Sequence, residues 1–347
     1  MNSNRRNIRL LVSIGIPIAL FLALASPVAA RGLSAQANNS GSRGLPNFQH
    51  VFVIMMENTS YTSLIGNSNA PFINSAAATY GLATKYFGVT HPSQPNYIAA
   101  TSGSTNGVKT DDDVTIDVPN IVDQLEKHSK SWKAYMQSLS LCPNSDPLQH
   151  ACGNQLYERK HDPFVSYADV QNSPARLANI VDFSQFSTDL ANNTVPNYSW
   201  ISPDQCNDMH GRFTTDPTDL CGFAHEQALI GAGDAFLQST VNQIMNSQVW
   251  QNGNSTIFIA WDESDFTGSG PFGFADTSGC CDSEPGNGGG HVVTLVISNS
   301  VTSARTSDLA SNHYSLLTTI EGGWSLGCLK FTCDTSHVKP MRDLVNN

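Results

Sequence analysis

Four apolar runs of strand length, each bounded by groups able to bind a metal, constrain this chain more than any other feature. His50-Val-Phe-Val-Ile-Met-Met56 ends in Glu57-Asn58. Asn197-Tyr-Ser-Trp-Ile201 leads into Asp204 and then Asp208-Met-His210. Ser255-Thr-Ile-Phe-Ile-Ala-Trp261 ends in Asp262-Glu263, and Val292-Val-Thr-Leu-Val-Ile297 is entered directly from His291. In open α/β sheets ligands gather at the carboxyl ends of strands, so the first three acidic ends meet in one crevice. His291 precedes its strand and reaches that crevice only from an incoming loop or an antiparallel strand. Carboxylates, an amide oxygen and two imidazoles at one edge suit a hard or borderline divalent cation.

The first residues read as an export signal. Arg5, Arg6 and Arg9 precede an apolar stretch from Leu10 to Ala25, and Pro27-Val-Ala-Ala30 offers a small-residue cleavage site after Ala30. The stretch contains Pro17 and falls short of the ~20 apolar residues a span requires, so no stable membrane anchor is expected. Residues 31–46, rich in Ser, Asn and Gly, read as a disordered mature terminus, and residues 47–347 as a single domain. The formal net charge of −11 becomes more negative once the three arginines leave. Such a surface suits neither nucleic acid nor anionic lipid and fits solubility in an extracellular or periplasmic setting.

All eight cysteines lie beyond the signal, an even count that predicts disulfides in an exported chain. Spacing favours Cys142 with Cys152, Cys206 with Cys221 and Cys328 with Cys333, while Cys280-Cys281 closes on itself or pairs elsewhere. Between the strand runs, helical patterns are expected over Ala70–Tyr80, from an Asn120 cap to His128, over His225–Trp250, and from an Asn312 cap through His313–Ile320. Ser131–Met136 reads as a further strand. Strands alternating with helices indicate an α/β fold with a largely parallel, covered sheet. The segment from Ser264 to Gly290 is loop by composition. Because it joins Asp262-Glu263 to His291, it is expected to border the site.

A nucleophile candidate lies in Thr90-His-Pro-Ser-Gln-Pro-Asn-Tyr97. A Pro-Asn turn followed by small residues places Ser93 at a helix N-terminus, where backbone N–H groups and the dipole favour a phosphoryl group. Asn96 is placed to donate to a phosphate oxygen from the same turn.

Six blocks then follow one another in order: Met55-Met-Glu-Asn58, Thr90–Tyr97, Lys160-His-Asp-Pro-Phe164, Cys206-Asn-Asp-Met-His210, Trp261-Asp-Glu263 and His313-Tyr-Ser-Leu-Leu317. Together they resemble the phosphoesterase family of secreted acid phosphatases and bacterial phospholipases C, within the alkaline phosphatase superfamily. The resemblance implies an α/β, alkaline phosphatase-like three-layer sandwich with a largely parallel central sheet. It implies one or two divalent metal ions. Glu57, Asn58, Asp262 and Glu263 would hold one with Ser93, and Asp208, His210 and His291 would form a second position. The Ser-x-Pro-Asn block is similar to the Thr-x-Pro-Asn of nucleotide phosphodiesterases in the same superfamily, which selects Ser93 over Thr90. His161 resembles a phosphate-contacting histidine, with Asp162 standing where many relatives have Asn. Lys160 and His313 are secondary candidates on the phosphate side, and Asp111-Asp-Asp113 reads as solvated surface.

Two other motifs fail on context. Gly323-Trp-Ser-Leu-Gly327 matches a serine-esterase nucleophile elbow but follows a helix, and Asp334 and His337 lie too close together for the usual triad. Gly268-Ser-Gly-Pro-Phe-Gly273 matches a dinucleotide fingerprint but runs into Pro and Gly instead of a helix. The expectation is a secreted acid phosphatase acting on small phosphomonoesters through a phosphoserine intermediate. The alternatives are a phospholipase C or other phosphodiesterase on the same core, and a catalytically inert binding protein.

Overall fold

The computed structural model describes residues 44–265, 276–281 and 288–346, all within one compact unit spanning 38–347. The expected signal, its cleavage site and nearly all of the expected tail lie outside the described residues, as does the Gly268–Gly273 motif.

In chain order the strands are β1 (His50–Met56), β2 (Gly81–Phe87), β3 (Trp132–Met136), β4 (Ala151–Cys152), β5 (Tyr157–Glu158), β6 (Ile180–Asp182), β7 (Tyr198–Ser202), β8 (Ser255–Trp261), β9 (His291–Ser298), β10 (Arg305–Ser307) and β11 (Ser311–Asn312). The short β4 and β5 form a separate pair. The others build one sheet in the order β10-β2-β9-β8-β1-β7-β3-β6, with β11 also paired to β2. Pairing is parallel throughout except at β9, which runs antiparallel to both β2 and β8. Every residue of β8 is buried, as is β1 from Val51 onward. Side chains alternate between the faces of a strand, so both faces of the sheet centre must be covered, which is the three-layer α/β arrangement.

The antiparallel course of β9 has a consequence for the site. It brings the start of β9 to the same edge as the ends of β1, β2, β7 and β8, so His291 arrives there by the antiparallel route. Between that edge and the loops two glycines cross closely. A Cβ on Gly88 would stand 2.7 Å from the Asp262 carbonyl oxygen and 2.9 Å from the Gly289 Cα. Gly289 N–H donates to the Gly88 carbonyl and Ser264 N–H to the Gly289 carbonyl. Only bare backbone fits there. The described part of the 264–290 segment therefore borders the site, as its position between Glu263 and His291 implies.

Local signals decide several helices. Asn120 Oδ1 accepts from Val122 N–H at 2.9 Å to start Ile121–Lys127. Asn312 Oδ1 accepts from Tyr314 and Ser315 N–H groups to start His313–Trp324. Ser325, inside the esterase-like motif, is the left-handed cap of that helix with φ 56°, so no strand precedes it. The long pattern expected from His225 to Trp250 is instead two helices, Glu226–Met245 and Gln248–Asn252. Ser247 breaks it: its hydroxyl donates to the Ile244 carbonyl at 2.6 Å and accepts from Trp250 N–H at 3.4 Å. β2 carried no strand signal in the sequence, because Thr84 and Lys85 interrupt its apolar pattern; pairing with β9 and β10 makes it a strand.

The cysteines pair as Cys142–Cys152, Cys206–Cys221, Cys280–Cys281 and Cys328–Cys333. Among the described residues no helix is long and apolar enough to cross a membrane.

One buried acid outside the site gives a direct pH test. Glu321 is 1% exposed and accepts from Gln124 Nε2 at 2.9 Å; burial pushes its pKa from 4.5 up to about 8. The folded chain thus holds a proton that the unfolded chain has released, and stability is lost progressively as pH rises from about 4.5 to about 8. Glu321→Gln keeps an acceptor for Gln124 and removes the titration. It should stabilise the protein by roughly 2–4 kcal/mol near pH 8 and by little near pH 4. Thermal unfolding at the two pH values is the measurement, and an equal gain at both would rule out the ionisation cost as its source.

Candidate active site

Ser93 opens the helix Ser93–Ser102, directly after Pro92, and is 1% exposed. Its hydroxyl lies 2.9 Å from Glu57 Oε2, 3.2 Å from Asn58 Oδ1 and 3.2 Å from Glu263 Oε1. The ends of β1 and β8 thus converge on one hydroxyl. Asn58, held at φ 33°, ties the two ends together: its N–H donates to Asp262 Oδ1 at 3.0 Å and its Nδ2 to Glu263 Oε1 at 3.2 Å.

Behind Glu57 stands a second layer. Tyr97, four residues along the Ser93 helix, donates its hydroxyl to Glu57 Oε1. Its ring stacks on His161 at 5.3 Å and 15°. His161 Nε2 lies 3.2 Å from Glu57 Oε1 and its Nδ1 3.7 Å from Asp208 Oδ2. Asp208 is fixed by its own loop: its Oδ1 accepts from His210 N–H at 2.8 Å, and its carbonyl accepts from Glu57 N–H at 2.8 Å.

Charge is concentrated here. Burial, then the neighbouring Asp262, raises the Glu57 pKa well above the usual range; burial raises that of Asp208 as well. Burial followed by the Glu263 charge pushes Asp262 up to about 8. Burial holds the imidazoles neutral, with His161 well below its ordinary value and His210 near 4. Burial works against the Lys160 ammonium, but the charges of Glu57 and Asp111 outweigh it and raise its pKa. Packing acids this closely is unfavourable unless a cation joins them.

Among the described residues no group of three His, Cys, Asp or Glu side chains stands arranged to hold a metal ion as it is. The oxygens of Glu57, Asn58 and Glu263 turn toward Ser93. The donor set nevertheless fits a hard divalent cation. It consists of buried carboxylates and one amide oxygen, and the buried Asp262 Oδ2 and Asp208 Oδ2 have no hydrogen-bond partner.

The remaining expected residues are placed differently from one another. Lys160 Nζ pairs with Asp111 Oδ2 at 3.0 Å, and Asp111 Oδ1 accepts from Gln94 N–H at 2.9 Å, so Asp111 braces the Ser93 turn instead of being plain surface. The Asn96 amide is committed to the turn itself. Its Oδ1 accepts from Val89 and Thr90 N–H groups, and its Nδ2 donates to the Thr90 and Pro92 carbonyls. It shapes the loop that presents Ser93. The fully buried His313 bonds the Asp262 carbonyl through Nε2 at 2.7 Å and Tyr86 through Nδ1, supporting the backbone of the site. Asp162 is buried and accepts from Phe164 N–H at 3.1 Å.

His210 Nδ1 lies 2.8 Å from Gln205 Oε1, with its ring edge-on to Phe223. His291 reaches the edge, but its described contacts are elsewhere: Nε2 at 2.9 Å from the Thr84 carbonyl, and the ring stacked on Tyr61 at 4.3 Å. The structure therefore brings Glu57, Asn58, Ser93, Asp262 and Glu263 into one group, with His161 and Asp208 beside it. It does not draw His291 in.

Sequence reasoning missed His91 and Tyr97. His91 Nδ1 pairs with Glu263 Oε2, and its Nε2 lies 3.0 Å from the Asp276 carbonyl. Both sit inside the Thr90–Tyr97 block, and their position there was the available signal.

Comparison with solved structures places this arrangement among known folds. The chain aligns with the phosphonate monoester hydrolase of Agrobacterium radiobacter at TM-score 0.52 and 12% identity, over 80% of this chain and 74% of that one. It aligns with an alkaline phosphatase superfamily protein from Vibrio parahaemolyticus at TM-score 0.51 and 12% identity, over 83% and 68%. The fold is that of the alkaline phosphatase superfamily.

The Phosphoesterase family profile matches residues 67–327, and the chain belongs to that family. It is a hydrolase of phosphate esters. A phosphatidylinositol-3-phosphatase of Mycobacterium tuberculosis is 31% identical over 262 residues, 74% of this chain and 75% of that protein. A probable acid phosphatase of Kluyveromyces lactis is 34% identical over 172 residues, 47% of this chain and 39% of that protein. An acid phosphatase of Aspergillus fumigatus is 32% identical over 168 residues, 47% and 37%. This chain thus spans well under two thirds of those two fungal proteins.

Proposed function

We propose that this protein is an exported, metal-dependent phosphomonoesterase in which Ser93 is transiently phosphorylated. The observation that carries the reading is the Ser93 hydroxyl at a helix N-terminus with Glu57, Asn58 and Glu263 oxygens within 3.2 Å. The Ser93 Oγ attacks phosphorus, the bond to the substrate's alcohol oxygen breaks, and water later cleaves the phosphoseryl bond to release phosphate. The hydroxyl proton faces Glu57 Oε2 here; with Glu57 on a cation it passes to solvent, and the departing alcohol oxygen takes up a proton in exchange. Glu57, Asn58, Asp262 and Glu263 would hold a divalent cation, with Asp208 beside them, supplying charge neutralisation at phosphorus and a lowered serine pKa. The helix dipole favours the phosphoryl group at Ser93, while the Gln94 N–H is held by Asp111 and Pro95 carries none.

A monoester is a dianion and needs positive or donor groups beside those oxygens. Lys160, held charged by Glu57 and Asp111, and His161 supply them without a large groove. The relatives named above as phosphatases support a monoester over a diester. The aromatics Phe266, Phe272 and Phe274, the only ones available for an acyl-chain groove in the 264–290 segment, lie outside the described residues. Four disulfides support an oxidising compartment.

The test is turnover of p-nitrophenyl phosphate, its bis-ester and phosphatidylcholine, with and without chelator. The monoester should be preferred. Lys160→Ala or His161→Ala should narrow the gap in kcat/KM by about tenfold or more, since a charged or hydrogen-bonded phosphate contact is worth at least that. A diester preference untouched by those variants would point to the phospholipase reading.

A further inference from the structure

Beside the reacting cluster a cleft of about 410 Å³ opens, lined in part by Lys160 and His210. Geometry joins it to the site: Lys160 bonds Asp111, which also lines the cleft and accepts from Gln94 N–H beside Ser93, and His210 N–H donates to Asp208 Oδ1. Two large aromatics face it: Phe213 and Phe223 line the cleft and are 65% and 51% exposed. Asp112, Glu158 and Gln155 line it too.

The chemistry of this lining is selective. Lys160, His150 and Arg212 each face a carboxylate, Lys160 that of Asp111 at 3.0 Å, His150 that of Asp113 at 3.0 Å and Arg212 that of Asp219 at 2.9 Å. The surplus is in acceptors, namely the Glu158 carboxylate and that of Asp112, whose Oδ2 accepts from Thr110 at 2.8 Å; the Gln155 amide offers both a donor and an acceptor. A second phosphate or another polyanion meets repulsion there. An acyl chain would leave those carboxylates desolvated and unpaired, which is costly. An ammonium group meets Lys160 and Arg212 in the same space. A neutral group rich in O–H donors that also carries an apolar C–H face satisfies both halves, with hydroxyls to the carboxylates and C–H to the phenylalanine rings.

We propose that this cleft receives the alcohol part of the substrate, and that this part is a polyhydroxylated ring such as a hexose or cyclitol. The proposal rests on the phosphomonoesterase reading above and narrows it to a substrate class. Phe213 and Phe223 are the platform, and Asp112 and Glu158 the hydroxyl acceptors.

The experiment compares kcat/KM of the full chain for glucose 6-phosphate, ethyl phosphate and phosphocholine, then repeats it with Phe213→Ala and Asp112→Asn. Phe213 is exposed, so its truncation leaves the core intact. The ring phosphate should exceed ethyl phosphate by about tenfold or more, the discrimination expected of a hydrogen-bonding pocket. Each variant should cut that ratio several-fold, through KM more than kcat. A ratio near one, or a ratio that neither variant changes, overturns the proposal while leaving the phosphatase reading standing. Phosphocholine as the best substrate overturns it in favour of an ammonium site. Failure to hydrolyse any of the three monoesters overturns both readings.

Discussion

Ser93→Ala is expected to lower turnover of p-nitrophenyl phosphate by a factor on the order of 10³ or more, because it removes the hydroxyl proposed to form the covalent intermediate. The fold should survive the change. Ser93 contributes its hydroxyl to three site oxygens, while the helix it opens is held by its own backbone, by Asn96 across the turn and by the Asp111 bond to Gln94 N–H. Circular dichroism and thermal unfolding of the variant should therefore match the parent. Rapid acid quenching of the parent with labelled substrate should trap phosphate on Ser93. If the alanine variant retains most activity and Thr90→Ala loses it, the nucleophile is Thr90.

Removal of divalent cation should have an effect of similar size, and its pH dependence carries a sign. The Asp262 pKa is raised to about 8 and those of Glu57 and Asp208 are raised as well. In the metal-free protein these groups hold protons that the unfolded chain releases near its ordinary carboxylate values. Stability of the metal-free form should then fall as pH rises from about 4 toward about 8. A bound cation takes the place of those protons, so the rise in melting temperature on adding it should be larger at pH 8 than at pH 5. Asp262→Ala and Asp208→Ala should each lower the amount of bound metal and reduce kcat by roughly 10²-fold or more. Full activity after exhaustive chelation would sink this mechanism and favour a histidine-based phosphatase.

Much of the site was legible because its chemistry is local. Glu57-Asn58 and Asp262-Glu263 follow buried strands directly, and an acid after a covered strand has no bland use. Ser93 was readable from the Pro-bounded turn, and the helices at Ile121 and His313 from their Asn caps. The Cys142–Cys152, Cys206–Cys221 and Cys328–Cys333 disulfides were readable from spacing. Other features were not legible because they depend on partners remote in sequence. Ser93 and Glu263 are 170 residues apart, and which oxygen each offers the other follows from strand register. The Asn96 amide looks like a ligand contact in the sequence, but its four bonds to the 89–92 backbone are visible only once the turn is built. Asp111 reads as surface until Lys160, 49 residues away, pairs with it. His291 sits correctly at the strand edge, yet stacking on Tyr61 and the Thr84 carbonyl decide where its ring goes.

Alternation of strand and helix patterns along the chain gave the fold class, and the acidic strand ends, the turn that presents Ser93 and the local disulfides were readable because each rests on residues within a few positions of one another. The tertiary structure decided the antiparallel insertion of β9, the partnership of His91 with Glu263 and the stacking of Tyr97 on His161. It also decided the cleft between Lys160 and the two exposed phenylalanines. Those arrangements depend on which strands become neighbours, and strand order is set by packing the whole sheet between its helices, which no local stretch of chain encodes.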